Sequence, residues 1–379
     1  MNKQPIIAIC YDFDKTLSPD DMQAQGYIQS VGYSVDDFWK ESNELASSNK
    51  MDQNLAYMYM MSNKSRGRFF LKKDTLQELG SKVELFPGVD TWFDRINNYG
   101  KLKGVNIEHY IISSGLKEMI EGTKIADKFE QIYACSFYYD SAGVAVWPAQ
   151  SVNYTNKTQF LFRIEKGVLE INDQRVNAYF TPEQYRVPFR NIIYIGDSDT
   201  DIPCMKLVNV HGGHSIGVYN SETGDKTKVF RMLEENRIKY YAPADYTENS
   251  ILEDLVKKII DRTLANEMLE SIHFECVRNK NSETASQSKG EIKKDDLINL
   301  LEDSTSFFNT HSVIKLLNEI ADFSFNQKCK LIKCAIKNSQ IRYILNDPDL
   351  RDFYKRIVDG INNDEANIIR TIINNEKKR

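Results

Sequence analysis

The chain has 379 residues, 41% of them hydrophobic and 27% charged, with a net charge of −5. That length exceeds one small core and predicts two domains or a little more, while the acidic balance argues against broad nucleic-acid binding by the whole molecule. No apolar run is long enough to cross a bilayer, the six cysteines lack zinc-ligand spacing, and Asp12 and Asp14 interrupt the first apolar run too early for a signal peptide. Together these features predict a cytoplasmic protein with reduced thiols.

Ile6 to Cys10 form a short apolar run, as expected of a central parallel strand covered on both faces. Asp12 and Asp14 follow at once, where an open α/β sheet places its chemistry. Two acids near one point repel, and that repulsion favours a bound cation. Taken alone, the pair also suits a turn or a helix cap. Residues 19–83 then show helical patterning: Met22 to Val31, Val35 to Ala46, Leu55 to Met61, and a run after Asp74 with Gln77 spaced for a capping box. A helical block inserted after the first strand reads as a lid-like unit. Arg66 and Arg68 flank Gly67 on a loop, where they could meet an anionic leaving group or stay solvated.

Pro87-Gly88 opens a helix to about Tyr99, and a strand from Ile107 to Ile112 ends in Ser113-Ser114-Gly115. The strand Ile132 to Phe137 and a turn at Asp140-Ser141-Ala142-Gly143 lead to a second short strand. Lys157 opens a helical run. Ile192 to Ile195 is a buried strand ending in Gly196-Asp197-Ser198-Asp199-Thr200-Asp201, and Ser215 to Val218 is another. His211 and His214 read as turn residues rather than metal ligands. Strands alternating with helices imply a doubly wound, Rossmann-like parallel sheet in an α/β domain spanning residues 1–278, its core being 1–18 and 84–278.

A helix from Ile251 to about Glu270 closes this domain, and residues 279–290 read as a flexible polar linker. Residues 291–379 form a small all-α domain with stripes such as Val313/Leu316/Leu317/Ile320 and Leu331/Ile332/Ala335/Ile336. Residues 280–379 carry 17 Lys/Arg against 15 Asp/Glu, so the acidic surplus lies upstream. Lys330, Lys333 and Lys337 share a helix face, read as solvated. At under 90 residues this core is thin, so its stripes are expected to gain from another surface, a second copy or a protein partner.

Four polar strand ends now stand in order, and they resemble the haloacid dehalogenase superfamily. Asp12, Asp14 and Thr16 match its Asp-x-Asp-x-Thr motif, Ser113 its strand-closing Ser/Thr, and Lys157 its lone Lys, with Lys166 and Lys101 as other candidates. Gly196, Asp197 and Asp201 match its Gly-Asp-x-x-x-Asp. The inserted helices resemble the cap of the phosphoserine-phosphatase-like branch.

The resemblance implies a phosphatase acting through an aspartyl-phosphate: Asp12 as nucleophile and Asp14 as acid and base. It implies Ser113, Ser114 and Lys157 as phosphate-binding groups, Mg2+ held by Asp12, Asp14 and Asp197, and Thr16 and Asp201 as supports. The expected substrate is a small phosphorylated metabolite or nucleotide. Two other readings stay open: the C-terminal helices as a sensing module with the phosphatase as effector, and a nucleic-acid end phosphatase anchored on the basic helix face.

Overall fold

The computed structural model describes residues 4–287, 294–304 and 306–374. Seven strands, β1 (Ile6–Tyr11), β2 (Asn106–Leu116), β3 (Gln131–Tyr139), β4 (Ala145–Gln150), β5 (Ile192–Gly196), β6 (His214–Tyr219) and β7 (Tyr240–Pro243), form one sheet in the order β4-β3-β2-β1-β5-β6-β7. All neighbours are parallel except β3 and β4, which form a hairpin across the Asp140–Gly143 turn. β1 is central because it is apolar on both faces; Ile7, Ala8, Ile9 and Cys10 are fully buried. This is the expected doubly wound α/β fold. β7 was not anticipated, because its Tyr-Tyr-Ala-Pro is short and ends in proline.

Four helices fill the insertion after β1: α1 (Tyr27–Ser30), α2 (Val35–Asn49), α3 (Gln53–Lys64) and α4 (Lys73–Gly80). The expected helix over Met22 to Val31 is broken at Gly26, whose φ of +139° lies outside helical space. The capping box at Asp74 and Gln77 does not form. The main chain just before it is extended and paired with the hairpin, Ala145 N–H donating to Leu71 O at 2.8 Å, so α4 starts at Lys73 and Asp74 lies in its first turn.

The helices α5 (Val89–Lys103), α6 (Lys117–Glu121), α7 (Thr158–Lys166), α8 (Ile202–Val210) and α9 (Thr227–Glu234) alternate with the strands, and α10 runs from Ile251 to Gln287. The linker reading is therefore corrected over residues 279–287, which are helical; residues 288–290 lie outside the described residues. No Gly or Pro interrupts 251–287, and a helix already nucleated propagates through polar residues without an apolar stripe.

The chain divides into two compact units, Met1–Glu270 and Ser271–Arg379, with the boundary inside α10. The second unit contains α11 (Lys294–Glu302), α12 (Phe307–Asn318), α13 (Phe325–Lys337), α14 (Ser339–Tyr343), α15 (Pro348–Val358) and α16 (Asp364–Asn374). These close on each other around Ile298, Leu317, Leu331, Leu350, Phe353 and Ile369. Ile314, not Leu316, is the buried partner of Leu317 on α12, and Leu316 remains 44% exposed. The unit encloses its own apolar core, which removes the thin-core argument for self-association. No helix among the described residues is long and apolar enough to cross a membrane.

Candidate active site

The pairing of β1 with β5 continues one residue past β1, where Asp12 N–H donates to Ile195 O at 3.0 Å. The chain then turns sharply: Phe13 O accepts from the N–H groups of Thr16, Leu17 and Ser18, and Lys15 sits at φ +59°. That turn brings Asp14 beside Met22, whose N–H donates to Asp14 Oδ1 at 2.8 Å. Thr16 is fully buried; its carbonyl accepts from the Tyr246 hydroxyl at 2.8 Å, while its own Oγ1 has no partner.

β2 continues through the predicted serines to Leu116. Ser113 is buried near the Asp12 carboxylate, helps hold it in its charged form, and accepts from Gly115 N–H at 3.1 Å. Ser114 offers its carbonyl to the Tyr57 hydroxyl of α3 at 2.8 Å. A Cβ on Gly115 would lie 2.9 Å from Asp14 Oδ2 and 2.3 Å from Met22 Cε, so any larger residue would displace both side chains.

Lys157, just before α7, is fully buried with its ammonium 2.7 Å from Asp201 Oδ1 and 3.3 Å from Asp12 Oδ1. The alternatives Lys101 and Lys166 do not join it. Lys101 is exposed on α5, and Lys166 binds the carbonyls of Val176 and Ala178. Asp201 is held from four sides, its Oδ1 also accepting from Tyr194 Oη at 2.9 Å and its Oδ2 from Ser198 N–H and Oγ. A Cβ on Gly196 would stand 2.6 Å from Asp201 Oδ2, so glycine is required for this approach.

Carboxylate oxygens of Asp12, Asp197 and Asp201 lie within 4.8 Å of one another. Burial, with Asp201 nearby, pushes Asp12 up to about 6 despite Lys157, and burial with Asp201 and Asp12 pushes Asp197 up to about 7. Asp14 is also pushed up, by burial and then by Asp21 and Asp12. Three buried acids against one buried ammonium leave negative charge uncompensated, and hard oxygen donors suit a hard divalent cation such as Mg2+. Asp201 is saturated by its four donors, so Asp12 and Asp197 are the carboxylates with free lone pairs. Lys228 reaches Asp197 Oδ2 at 3.5 Å from the solvent side.

Asp12, Asp14, Ser113, Lys157, Asp197 and Asp201 are thus neighbours at the ends of β1, β2 and β5, whereas Thr16 contacts Tyr246 and Ser114 contacts Tyr57. The sequence reading missed Tyr194, Ser198, Gly115 and Lys228. Only Tyr194 left a trace, as a polar-tipped residue two positions before Gly196 and on the same side of β5. Asp199 pairs outward with Arg231 at 2.6 Å. His214 is buried at the start of β6 and His211 is exposed on its turn, and neither joins the acidic cluster.

A family model described as haloacid dehalogenase-like hydrolase matches residues 9–206. An uncharacterized protein of Borreliella burgdorferi is 30% identical over 281 residues, covering 66% of this chain and 95% of its own length. Among solved structures, a probable phosphoserine phosphatase from Vibrio cholerae has a TM-score of 0.46 at 14% identity, covering 70% of this chain and 67% of that one. A HAD family hydrolase from Salmonella enterica serovar Typhi has a TM-score of 0.43 at 19% identity, covering 62% of this chain and 66% of that one.

Proposed function

The chain belongs to the haloacid dehalogenase-like hydrolases, and from that premise we propose that it is a Mg2+-dependent phosphatase of a small phosphate monoester, working through an aspartyl-phosphate on Asp12. The observation that carries this reading is the buried Lys157 ammonium set between Asp201 at 2.7 Å and Asp12 at 3.3 Å. A phosphate dianion repels an anionic nucleophile, and this ammonium supplies compensating charge where the two must meet.

In this reading an Asp12 carboxylate oxygen bonds to phosphorus as the ester oxygen leaves, and Asp14 gives that oxygen its proton. The upward displacement of Asp14 keeps a proton available for this step. Asp14 then takes a proton from the water that attacks the acyl-phosphate, which regenerates Asp12. Ser113 and Ser114 bind phosphoryl oxygens; Asp201 fixes Lys157, and Thr16 supports the turn. Asp12, Asp197 and the main-chain carbonyl of Asp14 would hold Mg2+, which supplies further positive charge to the phosphoryl group.

The helical insertion is tied to the core beside these groups. Tyr57 bonds Ser114, and Asn54 Nδ2 donates to Val152 O at 2.6 Å, just before Lys157. Such a cover favours small substrates over folded phosphoproteins. The six cysteines are all free, which fits the cytoplasm. The test is phosphate release from sugar, amino-acid, nucleotide and oligonucleotide phosphates with Mg2+. Release from a small monoester, lost in Asp12→Asn, is expected; undiminished turnover by that variant would sink the assignment.

A further inference from the structure

A cavity of about 560 Å³ lies between the loop that follows α3 and the β3–β4 hairpin, and none of the acidic-site residues lines it. One wall carries Arg66 and Arg68, both exposed, the Arg68 guanidinium lying over Gly32 at the cavity's edge, with Ser62 and Ser65 beside them. Among the described residues no carboxylate lies within ion-pair distance of either guanidinium. The other wall and the rim are apolar, with Phe70 71% exposed and Val146 48% exposed.

Two unpaired cations next to exposed apolar side chains, in a cavity of the size small molecules occupy, define one ligand chemistry. We propose that this cavity binds an amphiphilic anion, a carboxylate, sulfonate or phosphate carried on an apolar or aromatic body. The anionic group meets the forked guanidiniums of Arg66 and Arg68, which suit planar or tetrahedral oxyanions. The body covers Phe70 and Val146. The two walls belong to different parts of the domain, the helical insertion and the hairpin, joined here by the Leu71–Ala145 hydrogen bond. A ligand touching both therefore braces the insertion against the sheet edge, at a place separate from the acidic site.

The probe is 8-anilinonaphthalene-1-sulfonate, an aromatic sulfonate whose fluorescence rises in apolar surroundings, titrated into the full chain. Saturable binding is expected, weakened about tenfold or more in R66E/R68E because charge-assisted hydrogen bonds become repulsions. Val146→Ser, which makes the apolar wall polar without adding charge, should weaken it as well. Unchanged thermal melting of both variants keeps a loss of binding distinct from a loss of fold. Asp12→Asn, which alters the acidic site and lies outside the cavity lining, should leave probe affinity unchanged. Absence of saturable binding, equal affinity in R66E/R68E, or loss of binding in a folded Asp12→Asn variant overturns the proposal.

Discussion

The hydroxyl of Tyr57, on the helical insertion, donates a 2.8 Å hydrogen bond to the carbonyl of Ser114, at the end of β2 beside Ser113. Tyr57 is buried, so this bond is shielded from water and fixes the insertion to the strand end assigned to phosphate. The carbonyl keeps one weaker partner, Cys135 Sγ at 3.4 Å. Tyr57→Phe should therefore cost about 1 kcal/mol in urea unfolding. The same variant should raise KM for a small aryl phosphate, because the insertion closes less firmly over it. An unchanged KM together with unchanged stability would make the bond incidental.

Lys157 provides a sharper test, since it is a fully buried ammonium facing two buried carboxylates. Lys157→Met should destabilise the protein by about 3–5 kcal/mol, because it leaves charge uncompensated in the interior. Adding Asp201→Asn to that variant should recover part of the loss by removing one of the stranded charges. Denaturant unfolding of the single and double variants measures both effects. A double variant less stable than Lys157→Met alone would contradict the charge argument.

Much of this was legible because it is local. The Ile6–Cys10 run, the acids after it, and the serines and Gly196-Asp197 closing later strands each carry their signal within a few residues. Pairing across the sheet then brings them together: Asp12 bonds Ile195, and Asp201 reaches Lys157 across 44 positions of sequence. What escaped depends on distant neighbours or on cooperativity. Tyr194 and Ser198 matter only because Asp201 turns back onto them. The length of α10 reflects propagation from a packed start at Leu252, Val256 and Ile260, a cause invisible in its polar second half. The Arg66/Arg68 cavity needed the hairpin as its second wall.

A buried network beneath β1 sets an acid limit on stability. Trp92 Nε1 donates to Tyr11 Oη at 2.9 Å, and Tyr11 Oη pairs with His109 Nδ1 at 3.0 Å. Nε2–H of His109 then faces Asn97 Oδ1 at 3.0 Å, the neutral tautomer that satisfies every group. Burial pushes His109 down to about 3. The unfolded chain binds a proton near pH 6.5 and the folded chain does not. His109 therefore withdraws stability as pH falls between those two values, by about 1.4 kcal/mol per pH unit, set against the opposite contribution of Asp12 and Asp197, whose folded values are raised. His109→Gln should remove the His109 share and so shift the profile toward greater stability at low pH. Urea titrations between pH 7 and 4 on both proteins test it; parallel curves would exclude His109 as the cause.

The acidic cluster predicts stabilisation by metal without reference to turnover. Asp12 and Asp197 repel each other in the folded protein, so Mg2+ should raise its stability by about 2.7 kcal/mol at a hundredfold excess over Kd. Asp197→Asn should be more stable than wild type without metal and should lose the Mg2+ response. Thermal melting with chelator or Mg2+ gives the answer, and equal responses from both proteins would place the ion elsewhere.

The C-terminal helices yield the last expectation. The first unit uses α10 as far as Glu267, which pairs with Arg190 at 2.9 Å; Leu252, Val256, Ile259 and Ile260 are buried, while Met268, Leu269 and Ile272 further along are exposed. The second unit builds a separate core from α11 to α16, with Leu331, Leu350, Phe353 and Ile369 inside. No residue assigned to the acidic site comes from it. A chain ending at Gln287 should therefore keep phosphate release from a small monoester within about twofold and lose only the second unit's unfolding transition. Deletion back to Ser250 removes the buried start of α10 and should abolish folding of the first unit. If the chain ending at Gln287 is folded by circular dichroism yet inactive, the helices contribute to the reaction itself, and the sensing-module reading is replaced by one in which they complete the enzyme.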